Sequence, residues 1–371
     1  MSRRVITWVG IGVALLAVAL LWRSAWRYSD ELRAELLVPP TLPSPGVVEI
    51  LEVGDAEVTL ALTDAALLSG TWGLTTPVSY GRLGIVNRSD ATTITRRYEP
   101  VEGTLSVGPA SLDQVAFRGD PTRALGRSYE SVEVETELGP MPAWLMGGEG
   151  DVWVIYVHGA GGRAESLRWI RELVDFGFPV LVITYRNDPG APPSPDGLVS
   201  WGTDEWRDVE AAIGYALDAG AGSVFLAGSG LGGSAVLTTL AETSHHRSIN
   251  GVILDSAVLD LSAIEDARRP DAGLIGSWGR MLASLRFGVE WSRLDHSDNA
   301  GQLDRPVLLM HGVRDQLTPV GLADTFAAAS PDLVEYHRFD EAIQGATWNV
   351  SPRRFETLLR DFLVRHLPDD G

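Results

Sequence analysis

Hydrophobic and polar residues follow three successive patterns along the chain, and each pattern predicts a different kind of structure. Residues 5–22 (VITWVGIGVALLAVALLW) form an unbroken apolar run, and short β-like runs divided by Gly, Pro, Asn and Asp occupy residues 47–130. Apolar strands alternate with helical segments through residues 131–371. Continuous apolar strands separated by helices are typical of parallel strands buried on both faces. We therefore predict a doubly wound, mostly parallel α/β sheet, preceded by a β-rich region and one apolar helix.

The N-terminal apolar run is long enough to cross a thin bilayer. Its eighteen residues lie between pairs of arginines, and as a helix they would reach about 27 Å. We predict an uncleaved membrane anchor over residues 1–29, with the membrane contacted through residues 5–22. A cleaved signal peptide is the alternative, because residues 17–19 (AVA) have the small-x-small form. The acidic residues at positions 30 and 31 favour an extracytoplasmic location for the bulk of the chain.

Two further segments, residues 30–46 and 260–305, differ in pattern from the domains beside them. Residues 30–46 end in PPTLPSPG, and because each proline fixes φ and removes a donor, we predict a stiff linker that holds the anchor away from the folded part. Residues 260–305 interrupt the α/β pattern with mixed helical character, which indicates either a cap over a ligand crevice or a plain extra helix pair. In the β-rich region, residues 96–98 (RRY) and 120–121 (DP) are interpreted as surface and turn features.

The composition excludes several classes of function. The chain of 371 residues has a formal net charge of −19, which argues against nucleic acid as a partner. Cysteine is absent and all 30 basic residues are arginine, so thiol nucleophiles, disulfides, Schiff-base lysines and P-loop lysines are excluded. Paired His, Asp or Glu ligands do not occur at helical or hairpin spacing, and we predict neither a metal nor another cofactor.

A glycine motif, GSGLGG at residues 228–233, allows two interpretations. It fits the dinucleotide fingerprint G-x-G-x-x-G, with Asp255 at the end of the next predicted strand as the acid that would bind a ribose. It also fits the strand-turn-helix elbow of a serine hydrolase, with Gly230 in place of the nucleophile. A dinucleotide fingerprint usually opens its fold, whereas two strand-helix units precede this one.

Four motifs in order resemble those of the α/β-hydrolase superfamily, especially its membrane-anchored serine hydrolases related to the prolyl-oligopeptidase group. The resemblance runs from about residue 130 to the C-terminus and rests on HGAG at 158–161, GSGLGG at 228–233, HGVRDQLTP at 311–319 and EAIQGATWN at 341–349. It implies a triad acid at Asp315, the nucleophile position at Gly230 and the histidine position at Gln344. It also implies an oxyanion hole formed by the backbone N–H groups of Ala160 and Leu231.

Two of these positions lack the groups that a serine hydrolase needs. Gly230 has no hydroxyl, and the amide of Gln344 cannot act as a general base. We therefore predict a catalytically inactive protein that binds a small ligand or a protein partner in the α/β crevice. An active esterase or peptidase with a relocated nucleophile is the alternative, and Ser229 is the candidate for that nucleophile. The third hypothesis is dinucleotide binding through GSGLGG.

Other residues are candidates for the surroundings of the crevice. The proline-rich residues 189–195 are expected to stiffen one rim, and four tryptophans are candidates for the lining: Trp201, Trp206, Trp278 and Trp291. His158 and His311, which belong to HG turns, are expected to be structural.

Overall fold

The computed structural model of the chain describes residues 3–42, 44–297 and 300–368, and it begins with a helix of 34 residues, α1 (Arg3–Leu36). The predicted anchor, linker and cap each include residues that lie outside this description, namely 1, 2, 43, 298 and 299. Among the described helices, α1 alone is long and apolar enough, over Ile11–Leu36, to cross a membrane.

The second half of α1 packs on the rest of the protein, in contrast to the prediction for the linker. Side chains are exposed around residues 11–20, whereas Ala25, Tyr28, Leu32 and Leu36 are buried. These residues recur at intervals of three and four and so form one face of the helix. The helix therefore continues seven residues beyond position 29, and its C-terminal half packs against the folded part.

Six antiparallel strands follow and close into a barrel in the order β1-β2-β5-β4-β3-β6. Buried and exposed residues alternate on several of these strands, as expected when one face of a strand points into a core. This region confirms the predicted β-rich segment. The strands are β1 (Val47–Val53), β2 (Glu57–Ala61), β3 (Trp72–Thr75), β4 (Tyr80–Ser89), β5 (Thr93–Glu102) and β6 (Gly108–Asp113).

Arg96 on β5 is fully buried, which corrects its interpretation as a surface residue. Its guanidinium donates hydrogen bonds to four backbone carbonyl oxygens, those of Ala66, Leu68, Gly70 and Gly84. Burial lowers the pKa of Arg96 to about 10. The side chain ties the loop between β2 and β3 to strand β4.

An eight-stranded sheet forms the core of the α/β domain, with the order β14-β13-β12-β11-β9-β10-β8-β7. Strand β8 pairs antiparallel with β7 and β10, and the other neighbours are parallel. The prediction of a mostly parallel sheet is confirmed. The strands are β7 (Glu130–Thr136), β8 (Gly139–Met146), β9 (Val152–Val157), β10 (Val180–Ile183), β11 (Ser223–Ser229), β12 (Ile249–Asp255), β13 (Val307–Gly312) and β14 (Val334–Phe339).

Helices cover both faces of this sheet, so it is doubly wound. Buried residues of α4, α5 and α8 form one apolar cluster, and those of α3 and α10 form a second cluster on the opposite face. The helices after α1 are α2 (Pro121–Leu125), α3 (Leu167–Asp175), α4 (Trp206–Asp218), α5 (Leu231–Glu242), α6 (Leu261–Arg268), α7 (Gly273–Phe287), α8 (Val320–Ala329), α9 (Thr347–Val350) and α10 (Pro352–Arg365).

Helices α6 and α7 lie within the predicted cap, and both contact α1. A Cβ atom on Gly279 of α7 would lie 2.3 Å from the ring of Tyr28, so the small residue permits the close approach of the two helices. The hydroxyl of Tyr28 donates to Glu265 of α6 at 2.8 Å. Helices α6 and α7 therefore pack together with the C-terminal half of α1.

Candidate functional site

The turn between β11 and α5 consists of Gly230, which has φ 53° and ψ −116°. Its N–H donates to the carbonyl of Asp255, and its carbonyl accepts from the N–H of Val258. A Cβ atom on Gly232 would lie 2.2 Å from the carbonyl oxygen of Val157, so glycine is required there for the helix to approach β9. A Cβ atom on Gly230 would meet only the Cα of Gly159, at 3.9 Å. The side-chain position at residue 230 therefore points into open space.

The loop after β9 places the backbone N–H group of Ala160 beside the same open space. The buried carboxylate of Glu165 accepts from the N–H groups of Gly159, at 2.7 Å, and Gly161, at 2.8 Å. These two bonds fix the loop on either side of Ala160. In the described part of the chain, the N–H groups of Ala160 and Leu231 have no protein acceptor. Sequence reasoning missed Glu165, because its role depends on the path of the loop.

His158 locks this loop and takes a structural role. Its Nδ1 bonds to the carbonyl oxygen of Gly159 at 2.8 Å, and its Nε2 bonds to Asp188 at 2.7 Å. Both partners are acceptors, so both ring nitrogens donate. Burial opposes the charged ring, but Asp188 outweighs burial and the pKa of His158 is raised. The ring also stacks on Tyr185, with centroids 4.5 Å apart.

Gln344 lies on the loop before α9 and lines the same cavity as Gly230. Its backbone carbonyl accepts from Nε2 of Gln114 at 2.5 Å, and the next residue, Gly345, donates to Ser256 Oγ at 3.0 Å. The buried Asn349 donates to the carbonyls of Thr71 and Gln114. The barrel and the segment that follows it thus hold the loop that carries Gln344.

Asp315 lies behind the cavity wall. Its Oδ1 accepts from the N–H groups of Leu317 and Thr318, and its Oδ2 accepts from the Thr318 hydroxyl at 2.5 Å. Burial raises the pKa of Asp315 against the effect of these bonds. Leu317 and Thr318, rather than the carboxylate, line the cavity. His311 donates from Nε2 to the Thr318 carbonyl at 2.7 Å and is structural, as expected.

The cavity has a volume of about 360 Å³ and collects five of the predicted site residues: Ala160, Ser229, Gly230, Leu231 and Gln344. Its outer wall is the segment of residues 38–42, which we call the strap, together with the end of α1. Leu261 and Ile264 of α6 form part of the opposite wall. Part of the predicted linker therefore lines the crevice.

The rim differs from the prediction in two respects. The prolines that line the cavity are Pro39 and Pro40 of the strap, and not those of residues 189–195. Of the four candidate tryptophans, only Trp201 lines it. Its indole N–H donates to the carbonyl of Leu36 at 2.7 Å, which joins the end of α1 to the α/β domain.

The dinucleotide hypothesis requires an accessible acid after β12. Asp255 is fully buried, and its Oδ1 accepts from Thr347 at 2.8 Å and from Ser256 at 3.1 Å. Burial raises the pKa of this carboxyl group. A ribose cannot reach Asp255 in this arrangement. Within the described ranges, three or more His, Asp or Glu side chains are nowhere grouped to hold a metal ion.

A buried serine-histidine pair, which sequence reasoning missed, lies beside α5. Ser234 Oγ and His296 Nε2 are 2.8 Å apart, and Ser234 donates to the carbonyl of Trp201 at 2.6 Å. Because the hydroxyl has one proton, the histidine N–H must donate to the serine oxygen. The pair therefore fixes the segment after α7 to α5 and does not activate a nucleophile.

His296 should make the stability of the protein depend on pH. Burial lowers its pKa to about 4, whereas an unfolded histidine titrates near 6.5. As the pH falls between these values, the unfolded state gains a proton that the folded state excludes. We expect the contribution of His296 to the unfolding free energy to fall by about 3 kcal/mol over this window. Denaturant titrations of wild type and H296N from pH 7 to 4 measure it, and parallel curves would contradict it.

Comparisons with known proteins agree with this architecture. A domain of unknown function (DUF8805) matches residues 49–113, which lie within the barrel. No curated protein sequence matches the chain. The esterase Pf2001 of Pyrococcus furiosus is 20% identical, with a TM-score of 0.54 over 68% of this chain and 95% of that one.

Two further esterases are similar over most of their own length. The esterase EaEST of Exiguobacterium antarcticum is 15% identical, with a TM-score of 0.47 over 63% of this chain and 100% of its own. A thermophilic esterase of Thermogutta terrifontis is 18% identical, with a TM-score of 0.47 over 64% of this chain and 100% of its own. The relation to the prolyl-oligopeptidase group stays a prediction. The strand order and the similarity to the Pyrococcus esterase show that the chain has an α/β-hydrolase fold.

Proposed function

We propose that the protein is a membrane-anchored, catalytically inactive α/β-hydrolase-like protein that binds an uncharged apolar ligand in the cavity at Gly230. The observation that carries this proposal is the open space at residue 230, where an enzyme with this fold needs a serine hydroxyl. The four-motif resemblance supports the assignment of Gly230, Gln344 and Asp315 to the three triad positions.

The absence of two catalytic groups removes most of the rate enhancement. In another serine hydrolase, loss of the nucleophile or the base lowers kcat by a factor on the order of 10⁶. The amide of Gln344 stays neutral across the working pH range and accepts no proton from a nucleophile. Binding interactions and the two free N–H groups persist, so we expect binding without turnover.

The cavity wall favours a ligand with an apolar body and a neutral acceptor. The strap contributes Val38, Pro39, Pro40 and Leu42, and a volume of about 360 Å³ suits a small molecule. The N–H groups of Ala160 and Leu231 would donate to a carbonyl oxygen. The charged residues that line the cavity are two glutamates, Glu35 and Glu165, and one arginine, Arg268, so the net negative charge of the lining would oppose an anion. An aliphatic ester or ketone fits these groups better than a carboxylate does.

A pair of ligands with the same chain tests the proposal. Methyl octanoate should raise the midpoint of thermal unfolding of the full chain in nanodiscs, since a ligand that binds only the folded state stabilises it. Octanoate should give no shift, and neither compound should be consumed. No shift with the ester, or release of methanol above the buffer rate, would contradict the proposal.

A matched pair of variants locates the binding site. Ile264 of α6 lines the cavity, whereas Ala267 on the same helix is exposed. I264W should fill the cavity and abolish the shift with methyl octanoate, and A267W should retain it. Equal shifts in both variants would place the ligand elsewhere.

An active hydrolase with a relocated nucleophile is the second candidate function. Two serines, Ser229 and Ser256, line the cavity. Ser256 has a φ of 50° and donates to the buried Asp255, and strained backbone of this kind is frequent at active sites. Labelling of either serine by a fluorophosphonate probe, located by peptide mapping, would favour this function over the inactive one.

A further inference from the structure

Helix α7 carries a row of apolar side chains on the face opposite to α1. Leu274 is 71% exposed, Met281 46% and Leu285 76%, and the half-buried Trp278 lies between them. The opposite face is formed by small buried residues, Gly276, Gly279 and Ala283, which pack towards α1. We call the four larger side chains the α7 seam.

The spacing of the α7 seam is that of a helix-helix interface. Successive members are separated by four, three and four residues, the a/d pattern by which two helices interlock. Helix α7 has no acidic residue, and its two arginines are paired within the chain, Arg280 with Asp266 and Arg286 with Asp30. A locally neutral seam on a strongly acidic chain lets two like-charged copies approach.

Helix α7 packs antiparallel to α1, and this arrangement fixes its direction relative to the proposed membrane span. Near the end of α7, Arg286 bonds to Asp30 and lies 3.9 Å from the ring centroid of Trp26. Before its start, Arg269 bonds to Glu35 at 2.8 Å. The two helices are therefore antiparallel, so α7 lies alongside α1 and runs back towards the proposed membrane span.

Two anchored copies in one membrane can be related by a two-fold axis along the membrane normal. That axis brings the two α7 helices together in parallel and in register, so each seam residue meets its own copy. A seam of four side chains is smaller than a standard interface of about 1,600 Å². Confinement to one membrane raises the effective concentration of the two copies and compensates for the small area.

We propose that the α7 seam is the contact between two copies of this chain in the membrane. The two-fold argument rests on the proposed anchor. A lipid surface suits the seam less well, because α7 runs along α1 and so places only its last turn near the headgroups. With about 8–10 Å between packed helices, the two α1 helices are held apart by roughly 25 Å.

The absence of cysteine allows a test by single-cysteine crosslinking of the full chain in native membranes. L274C and L285C should form disulfide-linked dimers at least tenfold more than V78C, an exposed barrel position. L20C in the span should not exceed V78C, because the α1 helices are far apart. L285E should lower the yield of dimer in a background that carries L274C.

The remaining outcomes would overturn the proposal. Equal yields at positions 78 and 285 indicate random collision, a dimer through L20C alone indicates pairing of the spans, and a link from L285C to another protein indicates a different partner. Alkaline extraction of the same samples tests the anchor separately. Dimer yield is measured in whichever fraction, membrane or soluble, contains the protein. Release of the protein by alkali would disprove the anchor. The dimer yield of L285C relative to V78C would still test the interface.

Discussion

G230S/Q344H should react with a fluorophosphonate probe at residue 230, at least about 100-fold faster than G230S alone. The new serine side chain would enter the open space beside Gly159. The elbow already has the required backbone angles, although a positive φ is strained for serine by about 1–3 kcal/mol. The N–H groups of Ala160 and Leu231 would stabilise the oxyanion, and the imidazole would remove the hydroxyl proton.

The single variant Q344H is the matched control for this experiment. It supplies the base without a nucleophile and should stay unlabelled. Intact mass and peptide mapping after a fixed incubation separate the outcomes. Labelling of Q344H to the same extent as the double variant, or no labelling of the double variant, would show that residues 230 and 344 do not occupy the nucleophile and histidine positions.

R96L should destabilise the barrel by about 4 kcal/mol. Leucine fills part of the volume but leaves the carbonyls of Ala66, Leu68, Gly70 and Gly84 without the donor that they share. Each unsatisfied buried polar group destabilises a protein by about 1–3 kcal/mol. Removal of the buried charge offsets part of the combined loss from the four carbonyls. Hydrogen exchange of peptides from residues 47–113 measures the loss in the full chain.

The neighbouring arginine provides the control for R96L. Arg97 is exposed on the same strand, so R97L should change the stability of the barrel by no more than about 0.5 kcal/mol. Similar losses in the two variants would mean that the network of carbonyl contacts around Arg96 contributes little.

The parts of the structure that follow from local sequence were predictable. The apolar strands of the α/β domain can be identified from local sequence, because burial on both faces requires apolar runs. The glycines of the elbow can be identified in the same way, because close packing at Gly232 requires glycine. The position of Gly230 between strand and helix follows for the same reason. The assignment of catalytic positions to Gly230, Gln344 and Asp315 stays a prediction.

The parts that depend on long-range packing were not predictable from one sequence. The strap carries the prolines of a spacer, and nothing in residues 38–42 indicates that they cover a cavity formed by segments more than a hundred residues away. The pairing of Arg96 with four carbonyls, and of Ser234 with His296, also joins groups that are distant in sequence. Such contacts appear only once the chain has folded.

The most direct test of the account is treatment of the purified full-length chain with a fluorophosphonate probe, followed by measurement of its intact mass. Gly230 offers no hydroxyl at the elbow, and Ser234 already donates its proton to the carbonyl of Trp201. We therefore predict that the wild-type mass stays unchanged while a serine esterase in the same tube is fully labelled. Stoichiometric addition of one probe, on Ser229, Ser256 or any other serine, would contradict the assignment of this protein as an inactive hydrolase-like binding protein.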